Sequence, residues 1–316
     1  MHVPIRRASV LAALGAVALR PVATLAQPKP VTIIMGGLPE DSATPVLYAI
    51  SSGAFRRAGL DVSLQPQRSG PAVTSGVVGG SYQIGKASLN PLVDAHAKGV
   101  PLVVVAPGGM STADHPIAGL MVKVDSPIKT ASDLNGKTIA VGALNDIFTL
   151  AMRSWMDRNG GDSTSLKLVE IPISAIAEAI AQGRVAAGSA NEPILGGALA
   201  SGKVRVIAHT FDAIAPRFMF TAWFTTRAWA EANRSTVASF ARVVGSAAAF
   251  ANANPGKTVD DIAKFTGIDP AVVARMPRTQ AATSLDPALV QPVIDAAARY
   301  KDIPSRFDAK ELIWMG

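Results

Sequence analysis

Short apolar segments alternate with helical patterns along the first two thirds of this chain. The first segment, residues 31–35, is rich in β-branched residues and is followed by the break at residues 36–39. A helical pattern then covers residues 44–58 and ends at Gly59, and residues 60–64 alternate apolar and polar side chains as a half-buried strand does. Because a strand, a helix and a second strand in succession form a βαβ unit, this alternation predicts an α/β fold.

The same pattern continues to about residue 226 and then stops. Residues 102–106 form a continuous apolar run, which is typical of a parallel strand that is buried on both faces. Further strands are predicted at residues 82–85, 118–124, 137–141, 167–171, 185–188, 204–208 and 218–226. After the last of these only helices are predicted, at residues 228–252, 258–265, 270–275 and 287–300.

The strands fall into two series, which predicts two α/β lobes. The first series ends near Gly109 and the second begins near Ala118. We expect lobe I to comprise residues 29–112 together with 222–316, and lobe II to comprise residues 113–221. Because ligands of such sheets bind outside the carboxyl ends of the strands, we expect a ligand cleft between the lobes.

The N-terminal segment has the pattern of an export signal. Arg6 and Arg7 precede an apolar run at residues 8–19, which is too short to span a bilayer, and cleavage is expected after Ala26. Residues 8–10 fit a twin-arginine signal poorly, so we expect the general export route. A membrane anchor or a buried helix is the alternative interpretation of this segment.

The absence of cysteine restricts both the location and the chemistry of the protein. It excludes a disulfide framework, a thiolate metal site, a cysteine nucleophile and a lipid-anchored N-terminal cysteine. We therefore expect a protein that diffuses freely in the periplasm.

Charge and composition argue against a nucleic-acid partner. The formal net charge is +7, and Arg6, Arg7 and Arg20 contribute three of these charges from the segment expected to be removed, which leaves +4. Aromatic residues make up only 5% of the chain. A mildly basic mature chain with few aromatics is not typical of a nucleic-acid-binding protein.

The sequence segments that resemble catalytic or metal-binding motifs do not satisfy those motifs. Gly136-Lys137-Thr138 resembles the end of a phosphate loop, but position 131 holds alanine where that motif needs glycine. His96, His115 and His209 lie far apart in the sequence. We therefore predict no catalytic residue, no metal site and no cofactor.

Four segments follow recognisable motif patterns, in order, over about residues 30–225. They read G-x-F-x-x-x-G-L-D-V at residues 53–62, G-x-x-x-I-G at 80–85, S-x-I-K-x-x-x-D-L-x-G-K-x-I-A-V at 126–141, and A-I-x-x-G-x-V followed by N-E-P at 179–193. In these segments the chain resembles the nitrate/sulfonate/taurine and thiamine-precursor binding proteins of ABC importers. The resemblance implies a two-lobed, type II periplasmic-binding-protein-like α/β fold. Each lobe would be a mixed, mainly parallel sheet flanked by helices, with a helical C-terminal segment.

The same resemblance implies a function. The chain would be the periplasmic substrate-binding component of an ABC importer, a monomer that passes a small molecule to an inner-membrane ABC permease. Its ligand would be an anionic solute of the sulfonate or carboxylate kind, or a heterocyclic one, captured by hinged closure of the lobes. Two alternatives remain: a ligand sensor for a membrane receptor, and a same-fold enzyme of pyrimidine or sulfur metabolism, which would rely on cysteine and histidine.

The sequence departs from this family at two positions. Gln83 and Ala186 stand where the family often has aspartate. We expect both changes to remove a charge near the floor of the cleft.

The candidate ligand-binding residues lie in loops and helix starts that follow predicted strands. Helix N-termini present free N–H groups and the positive end of the helix dipole, which suit an anionic head group. The candidates are Gly37, Leu38, Ser69, Gly70, Ser88 and Asn90 in lobe I, and Asn145, Asp146, Asn191 and Glu192 in lobe II.

Each candidate also has a structural interpretation. Gly37 can belong to a turn, Ser69 and Asn90 can be helix N-caps, and Glu192 can serve the start of a helix. Tyr48, Phe148 and Trp223 are candidate walls of the cleft, although such aromatics more often belong to a core. Lys86 and Arg217 are candidate partners of an anion, with a solvated surface position as the default interpretation.

Overall fold

The computed structural model describes residues 1–2 and 29–316. The export signal predicted for residues 1–26 therefore lies outside the described residues, apart from its first two. Within the described ranges, no helix combines the length and the apolar character that a membrane crossing requires.

The strands alternate with helices as far as residue 226. In chain order the strands are Val31–Gly37 (β1), Leu60–Pro66 (β2), Ile84–Ser88 (β3), Leu102–Pro107 (β4), Met110–Thr112 (β5), Ala118–Lys123 (β6), Thr138–Val141 (β7), Lys167–Glu170 (β8), Ala187–Asn191 (β9), Val204–Ala208 (β10), Arg217–Met219 (β11) and Thr221–Thr226 (β12). The α-helices are Thr44–Ser51 (α1), Ala54–Arg57 (α2), Gly70–Val78 (α3), Leu89–Ala97 (α4), Ile147–Arg158 (α5), Ile173–Ala181 (α6), Ile194–Ala200 (α7), Arg227–Ala232 (α8), Arg234–Ala253 (α9), Val259–Thr266 (α10), Pro270–Val273 (α11) and Pro287–Arg299 (α12).

Two five-stranded sheets share one topology. The first sheet has the order β2-β1-β3-β12-β4, and the second has the corresponding order β8-β7-β9-β6-β10. In each sheet one strand runs against the other four: β12 is antiparallel to β3 and β4, and β6 is antiparallel to β9 and β10. The carboxyl ends of the parallel strands therefore gather at one edge of each sheet, and the loops that leave those ends can face one another.

The chain crosses between the sheets twice, and the two crossings touch. It leaves the first sheet through β5 and returns through β11, and these short strands pair antiparallel, with Phe218 opposite Ser111. The lobe boundaries at residues 112/113 and 221/222 stay a prediction.

Helices cover both faces of each sheet. In the first sheet, Ile33 and Trp223 pack with Phe240 of α9 on one face, and Val73 of α3 joins the apolar cluster of the other face. The second sheet is enclosed by α5 on one face and by α6 and α7 on the other. Strands β4 and β6 are therefore buried along almost their whole length, whereas β2 and β8 are partly exposed.

One apolar cluster continues from the first sheet into the second. Its centre is Phe211, whose ring lies 5.2 Å from that of Phe148, 5.8 Å from Phe218 and 5.5 Å from Phe220, measured between centroids. Phe148 belongs to α5, and Phe218 and Phe220 belong to the crossing segment. The ribbon between the sheets is therefore backed by packed aromatic rings rather than by solvent.

Two helices predicted as continuous are broken. The helix predicted for residues 44–58 is wrong in extent, since Gly53 has a φ of 73° in the left-handed region and separates α1 from α2. The helix predicted for residues 228–252 is likewise two helices, because the backbone of Asn233 leaves the helical conformation at φ −129°. Side-chain periodicity continues across both breaks, so the sequence pattern alone does not show them.

Two strands are shifted towards their carboxyl ends relative to the prediction. The strand predicted at residues 82–85 is Ile84–Ser88, because Ile84 pairs with Met35 of β1. The strand predicted at residues 185–188 is Ala187–Asn191. These shifts place Lys86 inside a central strand and Asn191 at the cleft end of another.

A buried aspartate ties the C-terminal segment to the loop after β1. The carboxylate of Asp41 accepts hydrogen bonds from Arg278 Nε at 2.8 Å, the Thr279 N–H at 2.5 Å and the Thr44 hydroxyl at 2.9 Å. Asp41 is almost fully buried, so these donors replace all of its water. The contact fixes the backbone of the loop that carries residue 40.

We predict that Asp41→Ala strongly destabilises the protein. Removing one partner of a buried ion pair leaves the Arg278 guanidinium without its counter-charge, which costs about 3–5 kcal/mol. Urea unfolding followed by circular dichroism measures the loss. The matched control is Lys203→Ala, which breaks an exposed ion pair with Glu178 and should cost about 0–1 kcal/mol. Equal losses in the two variants would contradict this role of Asp41.

Candidate functional site

A cavity of about 640 Å³ lies between the carboxyl ends of the two sheets. Its volume is within the range of about 300–1,000 Å³ that is usual for small-molecule sites. A smaller adjoining recess of about 40 Å³ shares several of its walls. The cavity is lined by Leu38, Pro39, Glu40, Pro66, Gln67, Arg68 and Ser69 from the first sheet's side, and by Gly142, Glu170, Ile171, Pro172, Ile173, Ser174, Asn191 and Ile194 from the second.

Glu40 joins the two sides of the cavity. One oxygen of its carboxylate forms an ion pair with Lys86 Nζ, and the other accepts a hydrogen bond from Asn191 Nδ2 at 2.9 Å. Lys86 is 0% exposed and Glu40 is 8% exposed. The interpretation of Lys86 as a solvated surface charge is therefore wrong, because its side chain is fully buried and its ammonium is paired with the Glu40 carboxylate.

The start of helix α3 forms one wall. Ser69 is its N-cap, and the Ser69 hydroxyl accepts a hydrogen bond from the Ala72 N–H at 3.4 Å. Ser69 lines both the cavity and the recess, while Gly70 lines the recess. The neighbouring Arg68 lines both and is exposed. Capping and cavity lining therefore coexist at Ser69, because the hydroxyl can still donate to a ligand.

Asp146 caps the helix that faces α3 across the recess. Its carboxylate accepts hydrogen bonds from the Thr149 N–H at 2.8 Å and from the Ala143 N–H at 3.2 Å. Burial raises the pKa of Asp146 to about 6, although both hydrogen bonds act in the opposite direction. Asp146 therefore gives the recess a carboxyl group whose pKa lies above the ordinary value of an aspartate.

A hydrogen bond joins Asn90 to Asn145 across the interface between the predicted lobes. Asn90 Nδ2 donates to Asn145 Oδ1 at 2.7 Å and to Asp302 Oδ2 at 3.2 Å. Asn145 Nδ2 donates to Asp94 Oδ2 at 2.8 Å. Asn145 lines the recess, whereas Asn90 lines neither space. This network attaches helix α5 to helix α4 on one side of the cavity.

The remaining predicted ligand-binding residues also divide into those that line the cavity or the recess and those that line neither. Leu38 lines both spaces and Ser88 lines the recess. Gly37 lines neither, and a Cβ there would meet the side chains of Leu64 and Lys86. Asn191 lines the cavity, but its neighbour Glu192 turns away, and the Glu192 carboxylate accepts a hydrogen bond from the Gly196 N–H of α7 at 2.9 Å.

Gln83 and Ala186 do not lie on the floor of the cleft, and that expectation is wrong. Both residues immediately precede a strand, so they lie at the amino ends of β3 and β9. The Gln83 side chain accepts a hydrogen bond from the Ile34 N–H at 2.9 Å. The cavity lies at the opposite, carboxyl ends of these strands, so the two departures from the family pattern do not alter its charge.

The aromatic candidates are mostly core residues. Trp223 is fully buried against Phe240, and Tyr48 stacks on Phe250 with ring centroids 4.1 Å apart. Phe148 lines the recess. Arg217 is exposed on the crossing ribbon.

Sequence reasoning missed Glu40, Arg68 and Ser174 among the residues that line the cavity. Glu40 is the first carboxylate after the predicted break at residues 36–39, and Arg68 directly precedes the predicted N-cap Ser69. Their position directly next to predicted loop and N-cap residues is therefore the sequence feature that could have identified both as cavity residues. Ser174 lies in the first turn of α6, where its sequence resembles that of any amphipathic helix.

We predict that Glu192→Gln weakens the pH dependence of stability. Burial raises the pKa of Glu192 to about 7 from 4.5, and the nearby charge of Asp41 acts in the same direction. Because the folded state holds this proton more tightly than the unfolded state, its stabilising effect is complete below pH 4.5 and disappears as the pH rises through about 7. The loss cannot exceed about 1.4 kcal/mol per pH unit for one proton.

Urea midpoints between about pH 4.5 and 8 measure this effect. The wild-type midpoint should fall over this range and the Glu192→Gln midpoint should fall less. Glu178→Gln is the control, because a hydrogen bond from Lys203 lowers the pKa of that exposed carboxyl. A Glu192→Gln variant with the wild-type slope would contradict the assignment.

Comparison with known proteins gives a consistent result. Residues 41–258 match the model of the family described as NMT1/THI5 like. A protein of Escherichia coli strain K12 described as a putative aliphatic sulfonates-binding protein is 25% identical over 251 residues, which cover 78% of this chain and 76% of that protein.

Solved structures show the same fold. The periplasmic aliphatic sulphonate binding protein SsuA from Escherichia coli has a TM-score of 0.72 at 22% identity, covering 90% of this chain and 92% of its own. The periplasmic nitrate-binding protein NrtA from Synechocystis PCC 6803 has a TM-score of 0.73 at 14% identity, covering 90% and 85%. The desulfurization enzyme DSZB has a TM-score of 0.65 at 14% identity, covering 90% and 96%. The prediction of a two-lobed, type II periplasmic-binding-protein-like α/β fold is confirmed.

Proposed function

Because the chain belongs to the NMT1/THI5-like family, whose model spans residues 41–258, we propose that it is the periplasmic substrate-binding component of an ABC importer. Its ligand is a small solute with an apolar body and a polar head group. An inner-membrane ABC permease receives the ligand, and the chain itself carries out no reaction.

The observation that carries this proposal is the convergence of polar groups from both sheets on one cavity. Glu40, Arg68 and Ser69 approach it from the first sheet, and Ser174 and Asn191 approach it from the second. Apolar side chains such as Leu38 and Ile173 complete the walls. A few oriented polar groups in a mostly apolar pocket are what a specific small-molecule site requires.

The crossing segments provide a means of closure. Only β5 and β11, with the residues next to them, carry the chain between the two described sheets. A ligand that contacts both walls gains its full set of interactions only when the walls approach each other. Its differential affinity for the closed form therefore favours closure.

An enzyme on this fold is the competing proposal, since DSZB shares the architecture. The chain contains no cysteine, so a reaction through a thiolate nucleophile is excluded. Mass spectrometry of each bound solute before and after incubation tests for enzymatic reactions that do not use a thiolate. Recovery of every ligand unchanged supports a binding protein, and a new product would favour the enzyme.

A role as a ligand sensor for a membrane receptor is compatible with the same cavity. Sensing and import differ in the partner rather than in the site. Uptake of radiolabelled ligand by cells that lack the protein distinguishes the two roles. Loss of uptake supports import, whereas normal uptake with a lost transcriptional response supports sensing.

We predict that a cognate ligand stabilises the protein. At a free concentration of 100 times Kd the free energy of unfolding should rise by roughly 2.7 kcal/mol. A thermal-shift screen of sulfonates, nitrate, aromatic carboxylates, pyrimidines and neutral amides measures the effect. Ligands released from the purified protein by denaturation are identified by mass spectrometry. A broad small-molecule library that leaves Tm unchanged would contradict the proposal.

We also predict that Arg68→Met weakens ligand binding without unfolding the protein. Loss of one hydrogen bond from a charged group should reduce affinity about 10- to 100-fold, which corresponds to roughly 1.5–3 kcal/mol. Arg56→Met is the matched control, because Arg56 is exposed on α2 outside the residues that line the cavity. Isothermal titration calorimetry gives both affinities, and equal values in the two variants would remove Arg68 from the site.

A further inference from the structure

We propose that Glu40 determines ligand specificity by filling, from within the chain, the position that a ligand anion would occupy against Lys86 and Asn191. The ligand then presents an uncharged polar group, such as an amide or a heterocyclic N–H, at the base of the cavity. This inference rests on the proposed function and selects between the anionic and heterocyclic ligand classes that the sequence leaves open.

The first argument is the burial of Lys86. Its ammonium lies in the central strand β3 with 0% exposure, and the Glu40 carboxylate is its ion-pair partner. A ligand anion can reach this ammonium only by displacing Glu40, which would move a charge out of a buried pair. Breaking such a pair is strongly unfavourable. The interaction free energy that a new anion gains with Lys86 is therefore at most equal to the free energy lost when Glu40 is displaced.

The second argument is the hydrogen bond between Glu40 and Asn191. The Asn191 amide donates to the second carboxylate oxygen at 2.9 Å, so the same group already joins both walls. A ligand anion placed here would face a carboxylate and be repelled. A ligand N–H or O–H would instead find free lone pairs on both oxygens, because each carboxylate oxygen can accept more than one hydrogen bond.

The third argument is the rigidity of Glu40. The next residue, Asp41, is held by Arg278, Thr279 and Thr44. The backbone at residue 40 therefore cannot retreat easily, and the carboxylate is held in place before any ligand arrives. A group that is fixed in advance adds selectivity because no ordering cost is incurred on binding.

The fourth argument is the charge of the cavity wall. Among the described residues that line the cavity, Glu40 and Glu170 are acidic and Arg68 alone is cationic. Arg68 is exposed, so water already solvates its charge. With Lys86 neutralised by Glu40, the wall has no excess of positive charge that would compensate for the desolvation of a sulfonate or carboxylate.

A matched pair of probes tests the proposal. Benzenesulfonate and benzenesulfonamide have nearly the same shape, but only the first is an anion at neutral pH. Calorimetric titrations with both probes are run on wild type, on Glu40→Gln and on the double variant Glu40→Gln/Lys86→Met. Asp61→Asn, which removes one exposed carboxylate from β2, controls for net charge.

We expect Glu40→Gln to bind benzenesulfonate at least about 10-fold more tightly than wild type, because the buried ammonium loses its counter-charge and the repelling carboxylate is gone. Adding Lys86→Met should abolish this gain. Affinity for benzenesulfonamide should rise in none of the variants, and Asp61→Asn should resemble wild type. Equal affinity of wild type and Glu40→Gln for benzenesulfonate, including no detectable binding by either, overturns the proposal.

A second measurement covers the case in which Glu40→Gln does not fold. A crystal of the wild-type protein is soaked with saturating benzenesulfonate. Glu40 should remain on Lys86, and a sulfonate oxygen within about 3.2 Å of Lys86 Nζ would overturn the proposal. The proposed transport role is tested separately by its own ligand screen, so a failure of either inference leaves the other one measurable.

Discussion

The ion pair between Lys86 and Glu40 is the interaction on which the cavity depends. The side chain of Lys86 in strand β3 is fully buried, so its ammonium needs a counter-charge. Glu40 provides it from the loop after β1, and the same carboxylate continues to Asn191 of the second sheet. One buried charge in the first sheet thus fixes both the loop at its edge and a contact across the interface.

The two sheets are coupled differently on the two sides of this contact. On one side Asn90, Asn145 and Asp94 form a polar network between helices, and on the other Phe211 anchors packed aromatic rings behind the crossing ribbon. Hydrogen bonds can be exchanged with water at modest net cost, whereas the apolar cluster resists opening. Movement about the ribbon is therefore expected to separate the polar side first.

Prediction from the sequence succeeded where a residue's role follows from its local pattern. Ser69 and Asp146 are N-caps beside the cavity, as their positions before helical patterns indicate. It failed where the direction of a side chain decides the outcome: Glu192 accepts a hydrogen bond from the Gly196 N–H of the following helix and does not line the cavity. Lys86 could not be recognised as buried, because the predicted strand ended at residue 85, three residues before its actual end at Ser88.

The α/β class, the alternation of strands and helices and several of the loops that border the cavity can be read from the sequence alone. These follow from hydrophobic periodicity and turn residues, which act over a few neighbouring positions. Which charges meet at the cavity follows from the folded structure, because Glu40 lies in a loop, Lys86 and Asn191 lie in different sheets, and Glu40 and Asn191 are 151 residues apart. Contacts of this kind depend on how the two sheets pack against each other, and a local sequence pattern does not specify that packing.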